Sequence, residues 1–207
     1  MSETYPDGMT HEEAEHLRGL AKEELRKRVA QLRRALPLPL RQAYSAQMCA
    51  LLVEHEAFQR AQAVLAYSAL RFEIDPRAAV ERAWSQAKTV ALPRTLPESH
   101  GLVPHIYRPG DTLAESGFVI QEPLPDAPEL HPAEVDLVLI PALAYDTRGQ
   151  RLGFGQGYYD RLLPRLPRAV RIGLAYELSL LAEVPNAVHD MPVDFVITER
   201  RVIQCVR

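Results

Sequence analysis

The sequence predicts an α/β fold: an open, mostly parallel sheet flanked by helices on both faces. Three observations carry that prediction. Short apolar runs near 63–68, 89–92, 136–140 and 169–175 alternate with longer stretches of helical period, the pattern of strands joined through crossover helices. The run 136–140 is apolar after its first residue and stops at Pro141, as a buried strand does. A glycine-rich stretch, Arg151 to Asp160, follows that strand on the side where open α/β sheets bind their ligands.

Bulk properties narrow the class. With 207 residues, 47% of them apolar and 25% charged, the chain suits one domain over 11–207 behind a flexible leader of 1–10. A net charge of −3 gives no reason to expect nucleic acid or an anionic membrane as partner. Cys49 and Cys205 are too far apart in sequence for a metal pair and make no disulfide framework, which fits a reducing compartment. No run approaches a membrane span and the N-terminus is polar and acidic, so the expectation is a cytoplasmic monomer.

In chain order, Leu25, Val29 and Leu32 at helical spacing predict a helix over 11–36. Lys22 and Arg26 lie four apart on one face of it, and Arg18, Lys27, Arg28, Arg33 and Arg34 make it locally basic. Such a face is either solvated or turned to an anion. A second helix is expected over 39–54, a strand over 63–68, and a helix over 76–87 with Asp75 as N-cap and Pro76 in its first turn. A strand at 89–92 closes on Pro93-Arg94, and a strand at 102–107, reached by a short loop, is expected to be antiparallel to it. The proline- and acid-rich stretch 108–134 reads as a long surface connection. After the strand at 136–140 come a tight turn over 145–150, the glycine loop, a helix over 158–166, a strand over 169–175 and a last strand over 193–198.

The glycine loop carries the chemistry. Gly153, Gly155 and Gly157 alternate with other residues just ahead of the expected helix, so backbone N–H groups can close on a ligand where a Cβ would intrude. The spacing G-x-G-x-G is not the dinucleotide fingerprint, and Tyr158 stands where a P-loop carries lysine. Glycines used only for turning remain an alternative. Arg151 offers a planar fork for phosphate oxygens, and Asp160 is a hard ligand suited to magnesium carried by a nucleotide. A second acidic group, Asp190 and Asp194 after His189, is either a turn and cap or the second half of such a site.

These residues resemble a known family. Pro141-Ala142-Leu143-Ala144-Tyr145-Asp146, then Gly149, then Arg151-Leu152-Gly153 through Gly157-Tyr158-Tyr159-Asp160-Arg161 look like the signature of the 5-formyltetrahydrofolate cyclo-ligases, also called methenyltetrahydrofolate synthetases. Lys22 with Arg26, Tyr67-Ser68 with Glu73-Ile74-Asp75, Pro93-Arg94, the stretch Phe118 to Pro123, and the ending from His189-Asp190 to Thr198-Glu199 resemble that family in the same order. Phe154 and Gln156 stand where members often carry Arg or Tyr and Lys or Gly, and Ala142 replaces a usual glycine.

The resemblance implies ATP-dependent closure of 5-formyltetrahydrofolate to 5,10-methenyltetrahydrofolate through a phosphorylated formyl group, with ATP as co-substrate and Mg2+ as cofactor. It also implies a sheet like that of phosphosugar isomerases and CoA-transferases. Carried over residue by residue, ATP would be held by Lys22, Arg26, Arg151, Leu152, Gly153, Phe154, Gly155, Gln156, Gly157, Tyr158 and Tyr159. The folate would lie on Tyr67, Ser68, Glu73, Phe154, Gly155, Gln156, Gly157 and Tyr158. Arg151, Glu73 and Tyr158 would have catalytic roles, and Asp160 and Asp190 would hold magnesium. Two rival functions stay open: a sugar-phosphate isomerase acting without ATP, and a folate- or nucleotide-binding protein without turnover, which the uncharged Gln156 would favour.

Overall fold

In the computed structural model, the described residues are 9–116, 120–187 and 190–206. Helix α1 (His11–Ala35) begins at a reciprocal cap: Thr10 Oγ1 accepts from Glu13 N at 3.2 Å, and the Glu13 carboxylate accepts from Thr10 N at 2.8 Å. Thr10 therefore belongs to the helix and not to the leader, whose residues 1–8 lie outside the described residues. Helix α2 (Leu38–Glu54) is followed by a short α3 (Glu56–Arg60) that the sequence pattern did not separate. Then come β1 (Ala63–Leu65), α4 (Arg77–Ser85), β2 (Thr89–Leu96) and β3 (Gly101–Ile106). Pro76 sits at the cap of α4 rather than inside it, and Asp75 accepts from Arg77 N at 3.0 Å.

The chain continues through β4 (Leu113–Glu115), β5 (Gln121–Pro123), β6 (Leu137–Ile140), β7 (Ala144–Tyr145) and β8 (Arg151–Leu152). It ends with α5 (Tyr158–Leu162), β9 (Val170–Leu174), β10 (Phe195–Ile197) and β11 (Val202–Gln204). No helix among the described residues is long and apolar enough to cross a membrane.

A seven-stranded sheet runs in the order β11-β10-β9-β6-β1-β2-β3. Strands β2, β1, β6, β9 and β10 are parallel, and β3 and β11 add antiparallel edges. The mostly parallel sheet and the antiparallel β3 are as the sequence predicts. Four differences have physical reasons. β2 runs through Pro93 instead of stopping there: β1 pairs with it only as far as Ala91, so the missing N–H costs no ladder bond on that side. The supposed last strand is followed by β11, three residues on an exposed edge with too little apolar contrast to be read. The stretch 108–134 holds the antiparallel β4–β5 ribbon, and β5 packs on β2. The helix expected over 158–166 is a single five-residue turn, α5, continued by a 3-10 turn at Leu163–Arg165.

The sheet is covered on both faces. Val64, Val90, Leu137, Leu139, Ile172 and Leu174 pack beneath α2, α3 and α4, while Leu65, Ala91, Val138, Ile140 and Val196 meet Leu162, Leu163 and Leu166 from the α5 region. All four residues of β6 are buried, as a central parallel strand requires; each such side chain contributes about 1.5–3 kcal/mol relative to exposure. Helix α1 packs its Val29 with Leu143, Ala144, Leu152 and Val184 around the antiparallel β7–β8 ribbon. The turn closing that ribbon is built on Asp146, whose Oδ1 accepts from Arg148 N and Gln150 N at 2.9 and 3.0 Å, and whose Oδ2 accepts from Val184 N at 3.0 Å.

Candidate active site

From β1 the chain winds to β2 on one side, and from β6 to β9 and β10 on the other, so the sheet changes direction between β1 and β6. Beyond the carboxyl ends of strands at such a point the crossovers part and leave a crevice. A cavity of about 670 Å3 lies there. Tyr67, Ser68 and Glu73 reach it from the segment after β1, Pro93 and Thr95 from β2, and Pro141 from the end of β6. Lys22 and Arg26 enter from α1, Arg151 from β8, residues 153–161 from the glycine loop and α5, Ile120 and Glu122 from the β4–β5 ribbon, and Asp190 from the C-terminal segment.

The cations are held individually. Lys22 Nζ lies 2.6 Å from Asp190 Oδ2, with side chains 19% and 17% exposed. Arg26 Nε donates to Gly153 O at 2.9 Å. Each cation of the i,i+4 pair thus has its own acceptor in the protein, so no anion is needed between them for the helix to tolerate it. Arg151 is buried; its guanidinium donates to Asp160 Oδ1 and to the Met191 carbonyl, and Met191 N donates to the same Asp160 oxygen at 3.3 Å. Arg33 departs from the solvated face that its neighbours form. It is 2% exposed, donates to Ala142 O at 2.6 Å and lies over the Tyr176 ring at 5.6 Å.

The glycine loop is shaped around two guanidinium groups. Gly155 has φ +96°, and a Cβ there would lie 3.4 Å from an Arg26 nitrogen; Gly157 has φ +67°, and its Cβ would meet an Arg161 nitrogen at 3.0 Å. Both conformations favour glycine and keep the loop close to positive charge. Arg161 bonds the Gln156 carbonyl and donates from Nε to His100 O at 2.8 Å, tying the loop to the turn between β2 and β3. Five residues of α5 sum too few peptide dipoles to act as a helix N-terminus, so anion affinity here rests on loop amides and side-chain cations.

Another part of the lining is acidic and aromatic. Glu73 Oε2 accepts from Leu70 N at 2.9 Å, while its Oε1 is buried and has no hydrogen-bond partner among the described residues. Burial pushes the Glu73 carboxyl above its ordinary value; the Leu70 amide and the Arg33 charge oppose the shift without cancelling it. The Tyr67 ring lines the cavity and also belongs to the core, and its hydroxyl is committed to Ile74 O at 2.8 Å. Burial raises the Tyr67 and Tyr159 phenols as well, so both are neutral donors at physiological pH.

The expected site residues therefore converge on one cavity, with one exception. Leu152 is buried in the apolar cluster with Val29 and Val184, and alternation along β8 turns it away from the ligand side that Arg151 faces. Phe154 and Gln156 sit exposed on the rim. Thr95, Ile120, Glu122 and Arg161 line the cavity without having been singled out. A signal existed for Glu122, which lies in the stretch Phe118 to Pro123; Phe118 itself, like His189, lies outside the described residues.

The chain is similar to known proteins in sequence and in fold. The sequence profile of the 5-formyltetrahydrofolate cyclo-ligase family matches residues 18–199. The 5-formyltetrahydrofolate cyclo-ligase of Escherichia coli strain K12 is 29% identical over 178 residues, covering 84% of this chain and 98% of that protein. The mouse protein of the same name is 27% identical over 201 residues, covering 86% and 94%. Among solved structures, the NMR structure of Aquifex aeolicus 5,10-methenyltetrahydrofolate synthetase superposes with a TM-score of 0.79 at 30% identity, covering 90% of this chain and 93% of that one.

Proposed function

Because this chain belongs to the 5-formyltetrahydrofolate cyclo-ligase family, we propose that its cavity closes 5-formyltetrahydrofolate to 5,10-methenyltetrahydrofolate, with ATP converted to ADP and phosphate. One observation supports the reading: the cavity is lined by cations and a glycine loop and also by Tyr67, Ser68 and a half-satisfied Glu73. Such a mixed lining suits two substrates of different chemistry, a polyphosphate and a flat ring with N–H donors.

A formamide oxygen is a poor leaving group. In the proposed sequence it attacks the γ-phosphorus of ATP, ADP departs, and an iminophosphate forms. Nitrogen 10 then adds to the activated carbon, loses its proton, and phosphate leaves as the ring closes. No covalent bond to the protein is needed; positioning and charge neutralisation are what the chain supplies. Lys22, Arg26 and the amides of 153–157 hold the phosphates, and Arg151, fixed by Asp160 and the Met191 carbonyl, keeps the loop at its closed spacing. Tyr158, 5.8 Å from the His100 ring, flanks the folate side of the loop. Gln156 carries no charge; the Arg161 guanidinium, bonded to the Gln156 backbone carbonyl, is the cation nearest that position of the loop.

The donor set fits a magnesium ion arriving with the nucleotide. Among the described residues no cluster of three or more His, Cys, Asp or Glu could cage a metal, whereas magnesium is commonly bound by one or two carboxylates together with phosphate. Asp160, engaged through Oδ1 only, and Asp190 would hold it, and it would neutralise phosphate charge. The protein would act as a cytoplasmic monomer.

The test is direct. Purified protein with 5-formyltetrahydrofolate and Mg-ATP is expected to develop the near-ultraviolet absorbance of the methenyl product, and to develop none when ATP is omitted. Folate binding without product would establish the binding protein instead, and ATP-independent turnover of a sugar phosphate would establish the isomerase.

A further inference from the structure

The two guanidinium groups at the glycine loop differ from the other cations that line the cavity. Lys22 is paired with Asp190 and Arg151 with Asp160, whereas Arg26 and Arg161 have no carboxylate at ion-pair distance among the described residues. Each instead holds one loop carbonyl, Arg26 Nε that of Gly153 at 2.9 Å and Arg161 Nη2 that of Gln156. Arg161 is fixed from two further sides. Its Nε donates to His100 O at 2.8 Å, and its guanidinium lies over the Tyr158 ring, 6.0 Å from the centroid.

A held carbonyl also aims the group beyond it. The peptide bond is planar and no cis bond occurs among the described residues, so the Gly157 N–H points opposite to the Gln156 carbonyl, away from Arg161. That N–H has no acceptor among the described residues. The positive charge on the carbonyl polarises the peptide and makes its N–H the stronger donor.

We propose that Arg161 is a positioning residue for phosphoryl transfer: by holding the Gln156 carbonyl to the turn between β2 and β3, it aims the Gly157 N–H at an oxygen of the phosphoryl group in transfer. This rests on the ATP-dependent reading above. An anion is the ligand that the arrangement suits, since two guanidinium charges flank the loop without a carboxylate to neutralise them. A backbone donor aimed at developing charge needs no reorganisation during the step, provided its peptide is held. Lysine would supply the charge of Arg161 but not the planar fork that reaches two carbonyls at once. Gly157 belongs to the same device, because a Cβ there would lie 3.0 Å from Arg161 Nη1 and press the guanidinium off its carbonyl.

The test pairs kinetics with a backbone resonance. Arg161→Ala is expected to lower kcat roughly 10- to 100-fold, with the KM for ATP changed less than about threefold. Arg161 is exposed, so melting is expected to move by less than about 3 °C. Added guanidinium ion is expected to restore part of the rate to that variant, and methylammonium none. Arg161→Lys is expected to lose most of the rate as well; a wild-type kcat for it would show that charge alone suffices and would overturn the proposal. With glycine amides isotopically labelled, a non-hydrolysable ATP analogue is expected to shift the Gly157 resonance in the wild type and far less in Arg161→Ala. An equal shift in both proteins, or a fall in rate that only follows the fraction unfolded, would overturn it too. Should alanine prevent folding, Arg161→Lys is read by the same resonance. That arm needs no turnover, so a Gly157 shift without cyclisation would refute the proposed function while supporting the aimed N–H.

Discussion

Replacing Glu73 with glutamine is expected to make the protein more stable and less active at once. Burial holds the Glu73 carboxyl above its ordinary value of 4.5, so between that value and its higher native pKa the folded state binds more protons than the unfolded one. Stability from this group consequently falls as pH rises through that window, and at neutral pH the ionised carboxylate is a net cost, even with the Arg33 charge nearby. Glutamine removes the charge but leaves an amide with one unanswered position, so the gain is about 1 kcal/mol, the low end for a buried polar atom without a partner. For a domain of this size that corresponds to a rise of roughly 2–4 °C in melting temperature. Thermal melts at a series of pH values from 4 upward are expected to show the wild-type curve declining relative to the variant once pH passes 4.5. The same substitution is expected to weaken folate binding and to cut turnover by at least about tenfold, since a charged acceptor has been lost. A variant that melts lower than wild type at neutral pH and retains its rate would refute both the electrostatic reading and the role in binding.

Three further substitutions probe the other wall. Asp160→Asn leaves the Arg151 guanidinium, in a pair whose side chains are 6% and 26% exposed, without its counter-charge; a loss of about 3 kcal/mol and a fall of roughly 6–12 °C should accompany lost turnover, and an unaltered melt would show the pair to be dispensable. Lys22→Met breaks a more open pair worth about 1 kcal/mol, so melting should shift only a few degrees while the KM for ATP rises roughly 10- to 100-fold; an unchanged KM would remove Lys22 from the nucleotide site. Gly155→Ala forces a Cβ into a φ of +96° at about 1–2 kcal/mol and crowds Arg26, so ATP binding should weaken, and an unchanged nucleotide titration would deny the close approach of this loop.

What could be read from the sequence was what repeats or is chemically emphatic. Buried parallel strands such as Leu137–Ile140 announce themselves through uninterrupted apolar runs, and the alternating glycines announce a close backbone approach. Short strands without an uninterrupted apolar run do not: β4, β5 and β11 each mix polar or proline residues into three positions, and their pairing is decided by tertiary neighbours. Glu122 sits on such a strand, so its signal was the resemblance of the stretch Phe118 to Pro123 and not a strand period. Arg33 stayed hidden for another reason. Its neighbours Lys27 and Arg34 are exposed, and spacing cannot tell which arginine of a basic helix will be drawn inward by a carbonyl, here that of Ala142. Asp146 and Asp160 were both visible as acids beside glycines, but only the fold separates the one that builds a turn from the one that faces the cavity.

The attachments of α1 also bear on how the molecule is made. Arg33, Arg26 and Lys22 reach residues 109, 127 and 168 positions further along the chain. During synthesis this helix leaves the ribosome before Ala142, Gly153 and Asp190, the acceptors of Arg33, Arg26 and Lys22. Tyr67, Ser68 and Glu73 emerge long before that. The part of the lining from Tyr67 to Glu73 is therefore made well before the part that holds Gly153 and Asp190, and contacts of such sequence separation are the slow ones to close. Until then, the basic stripe of α1 is exposed to whatever polyanion is at hand.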